Sequence, residues 1–405
     1  MAFYQTLIRV HCRFIVGNRP LAWRFSGNRP LGTLAIHRRS LADSSWTVFS
    51  RNSLVIHRTR IGCGRVGDHM RISDQLELLG LEEAKRVAMV EGATRAQKNR
   101  IARRVEMTHE MLSALPTAED LAFLHSGLAQ TCLPHSRPTD NEGVWRRQSG
   151  RFSLLVQPGV VDDGKVARHV GVPYGSRARL IMLHLQSEGL KSRTVSLGPS
   201  LSAFLRSLGL PVSGGPRGSI LAIREQSLRI ARCTMTMQWT DRNEAGDERT
   251  LIADTRIVDG MELWRSASGE EWCGTVELSE RFHEQLRQHA VPLDRRGIAH
   301  LAGNSLGLDL YALLAYRLPK LQRDMHLRWN ALQAQIGANE REAFNLAYRI
   351  RAVMPDVLTA YPHAKFDVTP HGLLLKPSAP AVPKTTVKGF SLIEIVPVVS
   401  AGNCG

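Results

Sequence analysis

Three classes of protein are excluded by what this sequence lacks. No stretch approaches about 18 uninterrupted apolar residues, so no segment reads as a membrane-spanning helix. The six cysteines, Cys12, Cys63, Cys132, Cys233, Cys273 and Cys404, contain no Cys-x-x-Cys pair. In a chain this long that scatter argues for free thiols in a reducing compartment, not a disulfide framework. Cys132-x-x-His135, with His125 nearby, lacks a fourth ligand at workable spacing, and no metal site is expected. None of the fifteen histidines stands in His-x-His, the metal-holding pair that a DNA-nicking enzyme needs beside a nucleophilic tyrosine. The phosphate-cradling G-x-x-x-x-G-K-[ST] loop is missing, as is H-E-x-x-H. Tyr174, in a Pro-Tyr-Gly turn before a helix, is placed like an active-site residue, but packing of the turn explains it better than nucleophilic catalysis. We therefore expect no enzyme, no cofactor and no metal.

Acids are also scarce relative to bases. Against 37 Asp and Glu stand 53 Lys and Arg, a net charge of +16 over 405 residues. Such an excess attracts polyanions, nucleic acid first and an acidic membrane surface second. The length allows two or three domains, each with its own core. Residues 1–69 hold eleven arginines, no lysine and only Asp43 and Asp68 as acids. Their apolar residues follow neither helical nor strand periodicity for long. Gly17-Asn18-Arg19-Pro20-Leu21 recurs as Gly27-Asn28-Arg29-Pro30-Leu31. This leader resembles a transit peptide, or reads as a disordered DNA-binding arm, or precedes a true start at Met70; we favour the last. The tail, 377–405, opens with Pro, Ser and Ala and reads as disordered.

Residues 70–140 read as a helical segment, in which Arg95, Lys98, Arg100, Arg103 and Arg104 make a basic helix. A solvated face is the plain reading of that helix; a phosphate-contacting or dimer-arm role is the other. From 145 to 275 we expect a strand at Phe152–Val156, a helix at Arg177–Leu190 and a short strand at Arg193–Leu197. A helix capped by Ser200, a turn over Ser213-Gly214-Gly215-Pro216 and a helix to about Arg232 follow. Two alternating strands, Thr234–Thr240 and Thr250–Val258, close the unit. From 276 to 376 the pattern returns: helices over Leu278–His289, Leu306–Leu318, Trp329–Ile336 and Glu340–Met354, then a hairpin over Ala364–Val368 and His371–Lys376. Each series has the order of a winged helix-turn-helix, whose last helix enters the major groove of DNA. The fold class expected is α+β and helix-rich, with two such domains in tandem.

Charge placement agrees with DNA as the ligand. Between Gly164 and Cys233 stand eleven basic residues and two acids, Glu188 and Glu225, whereas Thr240–Glu271 holds nine acids and four arginines. Arg177, Arg179, Lys191 and Arg193 are therefore expected on phosphates. Winding the last helix of the first unit places Ile220, Ile223, Ser227 and Ile230 on one face and Glu225, Arg229 and Arg232 opposite. Gln226 flanks that outer face on one side, Arg217 and Arg224 on the other. Winding the corresponding helix of the second unit sends Leu346, Ile350, Val353 and Met354 inward and Arg341, Asn345 and Tyr348 outward, with Arg349 beside them. Arg, Asn and Gln suit base edges, and Tyr suits phosphate.

Three motifs resemble the plasmid-encoded replication protein family usually called RepA. They are Gly171-Val172-Pro173-Tyr174-Gly175-Ser176-Arg177-Ala178-Arg179-Leu180-Ile181, Leu205-x-x-Leu208-Gly209-Leu210-Pro211, and Arg224-Glu225-Gln226-x-x-Arg229-Ile230-x-Arg232-Cys233. Leu308–Leu318 and Trp329-x-x-Leu332 are similar to the second winged helix of iteron-binding initiators. The resemblance covers roughly Met70 to Lys376. It implies a cytoplasmic protein that binds repeats in double-stranded origin DNA, helps melt it and recruits host helicase or a helicase loader. It further implies binding to its own promoter as a homodimer. A transcriptional repressor and, further off, a rolling-circle nicking enzyme are the competing readings.

Overall fold

The computed structural model describes residues 70–388 apart from 93, 163, 165, 216–217, 243–247, 266–270 and 338–342. The leader, its repeated pentapeptide and residues 389–405 lie outside the described residues. The chain begins with an antiparallel helical pair, α1 (Ile72–Glu91) and α2 (Arg95–Ser113). Thr94 and Gln97 cap α2 reciprocally, each side chain accepting the other's backbone N–H. Gly80 breaks α1 at a positive φ of 74°.

Next come β1 (Leu121–His125), α3 (Ser126–Gln130), β2 (Trp145–Ser149), β3 (Phe152–Gln157), β4 (Val160–Asp162) and β5 (Ala167–His169). Then follow α4 (Gly175–Gly189), β6 (Thr194–Ser196), α5 (Leu201–Ser207), α6 (Ser219–Arg232) and four strands, β7 (Thr234–Arg242), β8 (Glu248–Arg256), β9 (Val258–Arg265) and β10 (Glu271–Leu278). The second series is α7 (Glu280–His289), β11 (Ala290–Asp294), α8 (Arg295–Leu301), α9 (Ser305–Arg317), β12 (Met325–Arg328), α10 (Trp329–Ile336), α11 (Ala343–Ala360), β13 (Phe366–Thr369), β14 (Gly372–Leu375) and α12 (Lys384–Lys388).

The two series share a plan. In each, a strand and a short helix (β1–α3 or β11–α8) lead to a long helix (α4 or α9), and the two leading strands pair antiparallel, Leu121 opposite Asp294. The long helix is followed by a strand, two helices and a hairpin. The three-stranded sheets have the same order, β6-β10-β9 and β12-β14-β13. This corrects one expectation: β7–β8 is not the hairpin that joins β6. It pairs instead into a four-stranded sheet, β2-β3-β7-β8, whose Leu154, Val156, Met235 and Met237 are fully buried. Both hairpins alternate in sequence, and periodicity alone does not name a strand's partner.

One continuous apolar core runs from Ala122 to Leu375, filled by α4 and α9 with Leu180, Ile181, Leu310 and Tyr311. The expected boundaries at 140 and 275 therefore do not separate independent cores. The tail is likewise not wholly unstructured. Val382 and Val387 are buried with Leu121, Phe123, Leu190 and Leu286, so residues 377–388 pack. Helix α11 also overruns its expected end. Pro355 removes one helical hydrogen bond, but burial of Val357 and Ala360 beyond it outweighs a cost of about 3 kcal/mol.

Candidate nucleic-acid interface

Four of the expected contact residues on α4 and α6 divide sharply by burial. Arg177 is exposed, whereas Arg179, Gln226 and Arg229 are buried. Arg179 donates from Nε and Nη2 to the two carboxylate oxygens of Asp309 at 2.7 and 2.6 Å. Its other N–H groups reach the carbonyls of Leu133, Pro134 and Gly175. Each guanidinium donor is satisfied inside the protein, so none is left for a phosphate. Asp309 also binds His135 Nε2 at 2.8 Å. Burial by itself raises the Asp309 carboxyl, but the charge of Arg179 and the hydrogen bonds from His135 and Arg179 hold it below the usual carboxylate range.

Gln226 and Arg229 are turned inward for a related reason. Gln226 Oε1 accepts from the backbone N–H of Tyr174 at 2.8 Å. Arg229 donates to the carbonyl of Val172 at 3.0 Å and to Glu225 at 2.9 Å, with its guanidinium 5.0 Å from the Tyr174 ring centre. Gly171 has a φ of +79°, and a side chain there would strike the Arg229 guanidinium. Two of the three motifs are thus one clamp between the 171–174 turn and α6. Tyr174 belongs to this clamp, where burial and Glu225 push its hydroxyl pKa up, away from use as a nucleophile.

The remaining residues of the first series are mixed. Arg224 is half-buried, and Arg217 lies outside the described residues. Lys191 is exposed but pairs with Glu188 at 2.9 Å, and Arg193 pairs with Glu277. Arg232, placed on the outer face of the last helix, is exposed, and so is Arg206 on α5.

The second series is cleaner. On α11, Leu346, Ile350, Val353 and Met354 are buried as expected, while Asn345 is exposed and Tyr348 is 69% exposed. Arg349 is half-buried, and burial lowers its pKa; Arg341 lies outside the described residues. Phe344, 72% exposed, and Arg351, stacked 5.3 Å from the Trp329 ring centre, extend the same surface. Sequence reasoning missed both, although their spacing of four and three residues from Tyr348 was the available signal.

Cys132, His135 and Asp309 come together with their ligand atoms within 4.8 Å of one another. The Arg179 guanidinium occupies both Asp309 oxygens, so a cation would meet a fixed positive charge. Burial pushes the Cys132 thiol up to about 12. Among the described residues no helix is long and apolar enough to cross a membrane.

No curated protein matches the chain. Two crystal structures of RctB domains 2 and 3 are similar over 56% of this chain. They cover 83% and 82% of their own lengths at 12% and 14% identity, with TM-scores of 0.36 and 0.34, too low to carry an argument. The family described as "Plasmid encoded RepA protein" matches residues 172–332, which span the 171–174 clamp, α6 and the sequence up to α10. Over residues 172–332, the chain is thus similar to the plasmid-encoded RepA protein family.

Proposed function

We propose that this protein is a plasmid replication initiator that binds repeated sites in double-stranded origin DNA and acts without catalysing a reaction. The observation that carries the proposal is the exposed face of α11, where Asn345 and Tyr348 stand over a fully apolar inner face. A helix that buries one side and offers Asn and Arg on the other suits a major groove. The shared plan of the two series supports reading α4-β6-α5-α6-β9-β10 and α9-β12-α10-α11-β13-β14 as tandem winged helices. On that reading the wing of the first unit is β9–β10. The excess of bases, 42 against 35 acids over residues 70–405 alone, supplies the long-range attraction to phosphates.

Binding to its own promoter as a homodimer, recruitment of a host helicase or loader, and residence in the cytoplasm complete the proposal. A footprint of the purified protein on its own plasmid tests it. Protection of regularly spaced repeats beside the replication gene is expected; protection confined to one promoter operator overturns it in favour of a repressor. A plasmid carrying the protected sites should replicate only when the protein is supplied. Incubation of supercoiled origin DNA with protein and magnesium tests the absence of catalysis, since relaxed circles carrying covalently attached protein would establish a nicking enzyme.

A further inference from the structure

Helix α2 carries Arg95, Arg100 and Arg103 on its exposed side and Lys98 half-buried. Among the described residues none of the three exposed arginines forms an ion pair. The acid within reach of Arg103 along the helix, Glu106, is held by Lys85 at 2.9 Å. The first turn of α2 contains no acid, and Arg95 there opposes the positive end of the helix dipole. Folding gains nothing from this concentration of like charge.

The placement of α2 gives the charge a use. Arg104 donates from Nε and Nη2 to the two oxygens of Asp356 on α11, at 2.5 and 2.9 Å. Helix α8 packs beside both: His300 Nε2 lies 3.4 Å from the same Asp356, Gly297 packs on Ala360, and Arg296 donates to the carbonyl of Ala114 just past α2. At the start of α8, Arg296 meets Ala114 and Gly297 meets Ala360, and at its end His300 meets Asp356, the partner of Arg104, so α2 and α11 run in the same direction. Arg71, which precedes α1, donates to the carbonyl of Ala364 beyond α11, in agreement. Asp356 lies on the same helical stripe as Asn345 and Ala352. From Arg104 back to Arg95 the helix rises about 14 Å, and from Asp356 back to Asn345 about 17 Å. The basic half of α2 thus runs alongside the half of α11 that carries Asn345 and Tyr348.

We propose that Arg95, Arg100 and Arg103 form a second, sequence-independent contact to the DNA phosphate backbone, flanking the groove that α11 enters. The proposal rests on the DNA-binding reading of α11. Arginines so placed neutralise phosphates and release counterions, which appears as a steeper fall of affinity with salt.

The test is a salt titration of the full chain on a random-sequence duplex, comparing wild type with R95A/R100A/R103A and R95K/R100K/R103K. The alanine variant should lower the slope of log K against log salt by about 2.7, at about 0.9 per lost phosphate contact, and weaken binding tenfold or more at about 0.1 M salt. The lysine variant, which keeps the charge, should retain the wild-type slope. Unchanged thermal unfolding shows that the exposed substitutions leave the fold intact. If wild type binds and the alanine variant keeps its slope and affinity, the α2 contact is overturned while the reading of α11 stands. That result would point to an acidic protein surface as the partner of α2. If wild type shows no salt-dependent binding to any duplex, the DNA reading itself falls.

Discussion

Arg179 and Asn345 are both polar residues on helices, yet their substitutions should fail in different ways. Arg179→Ala leaves the Asp309 carboxylate buried without its guanidinium, which costs about 3–5 kcal/mol of stability. Chemical denaturation measures this. Arg179→Met combined with Asp309→Leu should recover only part of the loss, because no unpaired charge remains but His135 and the Leu133, Pro134 and Gly175 carbonyls lose their partners; a loss below about 1 kcal/mol for the single variant would contradict the assignment. Asn345→Ala removes an exposed side chain, so stability should hold while preference for the cognate site falls by about 1–3 kcal/mol. Equal losses on cognate and random DNA would remove Asn345 from base readout. Arg177→Ala should weaken both DNAs alike and lower the salt slope by about 0.9.

At the scale of elements, the contact between α6 and the 171–174 turn explains why Gln226 and Arg229 are turned into the protein. Gly171→Ala places a side chain at φ +79° and against the Arg229 guanidinium. We expect a loss of about 1–3 kcal/mol, read as a lower unfolding midpoint, with the salt slope of DNA binding unchanged. A full-stability Gly171→Ala variant would show that the clamp is not under constraint. The same clamp shows where sequence reasoning ran out. A helical wheel puts Gln226 and Arg229 outside because it scores them as polar. They are inside because the turn presents a backbone N–H and a carbonyl that only they reach. The wheel of α11 succeeded because its inward positions, Leu346, Ile350, Val353 and Met354, are all apolar and need no partner.

At the scale of the whole molecule, buried histidines make folding sensitive to acid. His125 is fully buried between β1 and α3, where its Nδ1 accepts from the backbone N–H of Gly127 at 3.1 Å. Burial, with His289 close by, brings its pKa down to about 3 from 6.5. The unfolded chain therefore binds a proton below pH 6.5 that the folded chain refuses until about pH 3. Stability is lost as pH falls through that window, by about 2 kcal/mol at pH 5 from this group alone. His135, His184 and His289 are lowered by burial as well and add in the same direction. Unfolding midpoints measured from pH 7.5 to 5 should fall steadily, and His125→Gln should flatten the fall; a pH-independent midpoint would refute the account.

Elements were set by short-range physics that one chain contains within itself. Apolar spacing, the caps at Ser200 and Ser279, and the glycine and proline turns specify α4, α5, α7, α9 and the strands Phe152–Gln157 and Gly372–Leu375. The excess of bases over acids is likewise legible without reference to a fold. Pairing between distant segments was decided only by the tertiary structure, because a strand's period of two is the same whichever neighbour it meets. That is how β10 rather than β8 came to lie beside β6, and how Val382 and Val387 were drawn under Phe123 and Leu286. Which polar side chains face inward was decided there too, since burial of Arg179 or Gln226 depends on a partner supplied from 130 or 52 residues away.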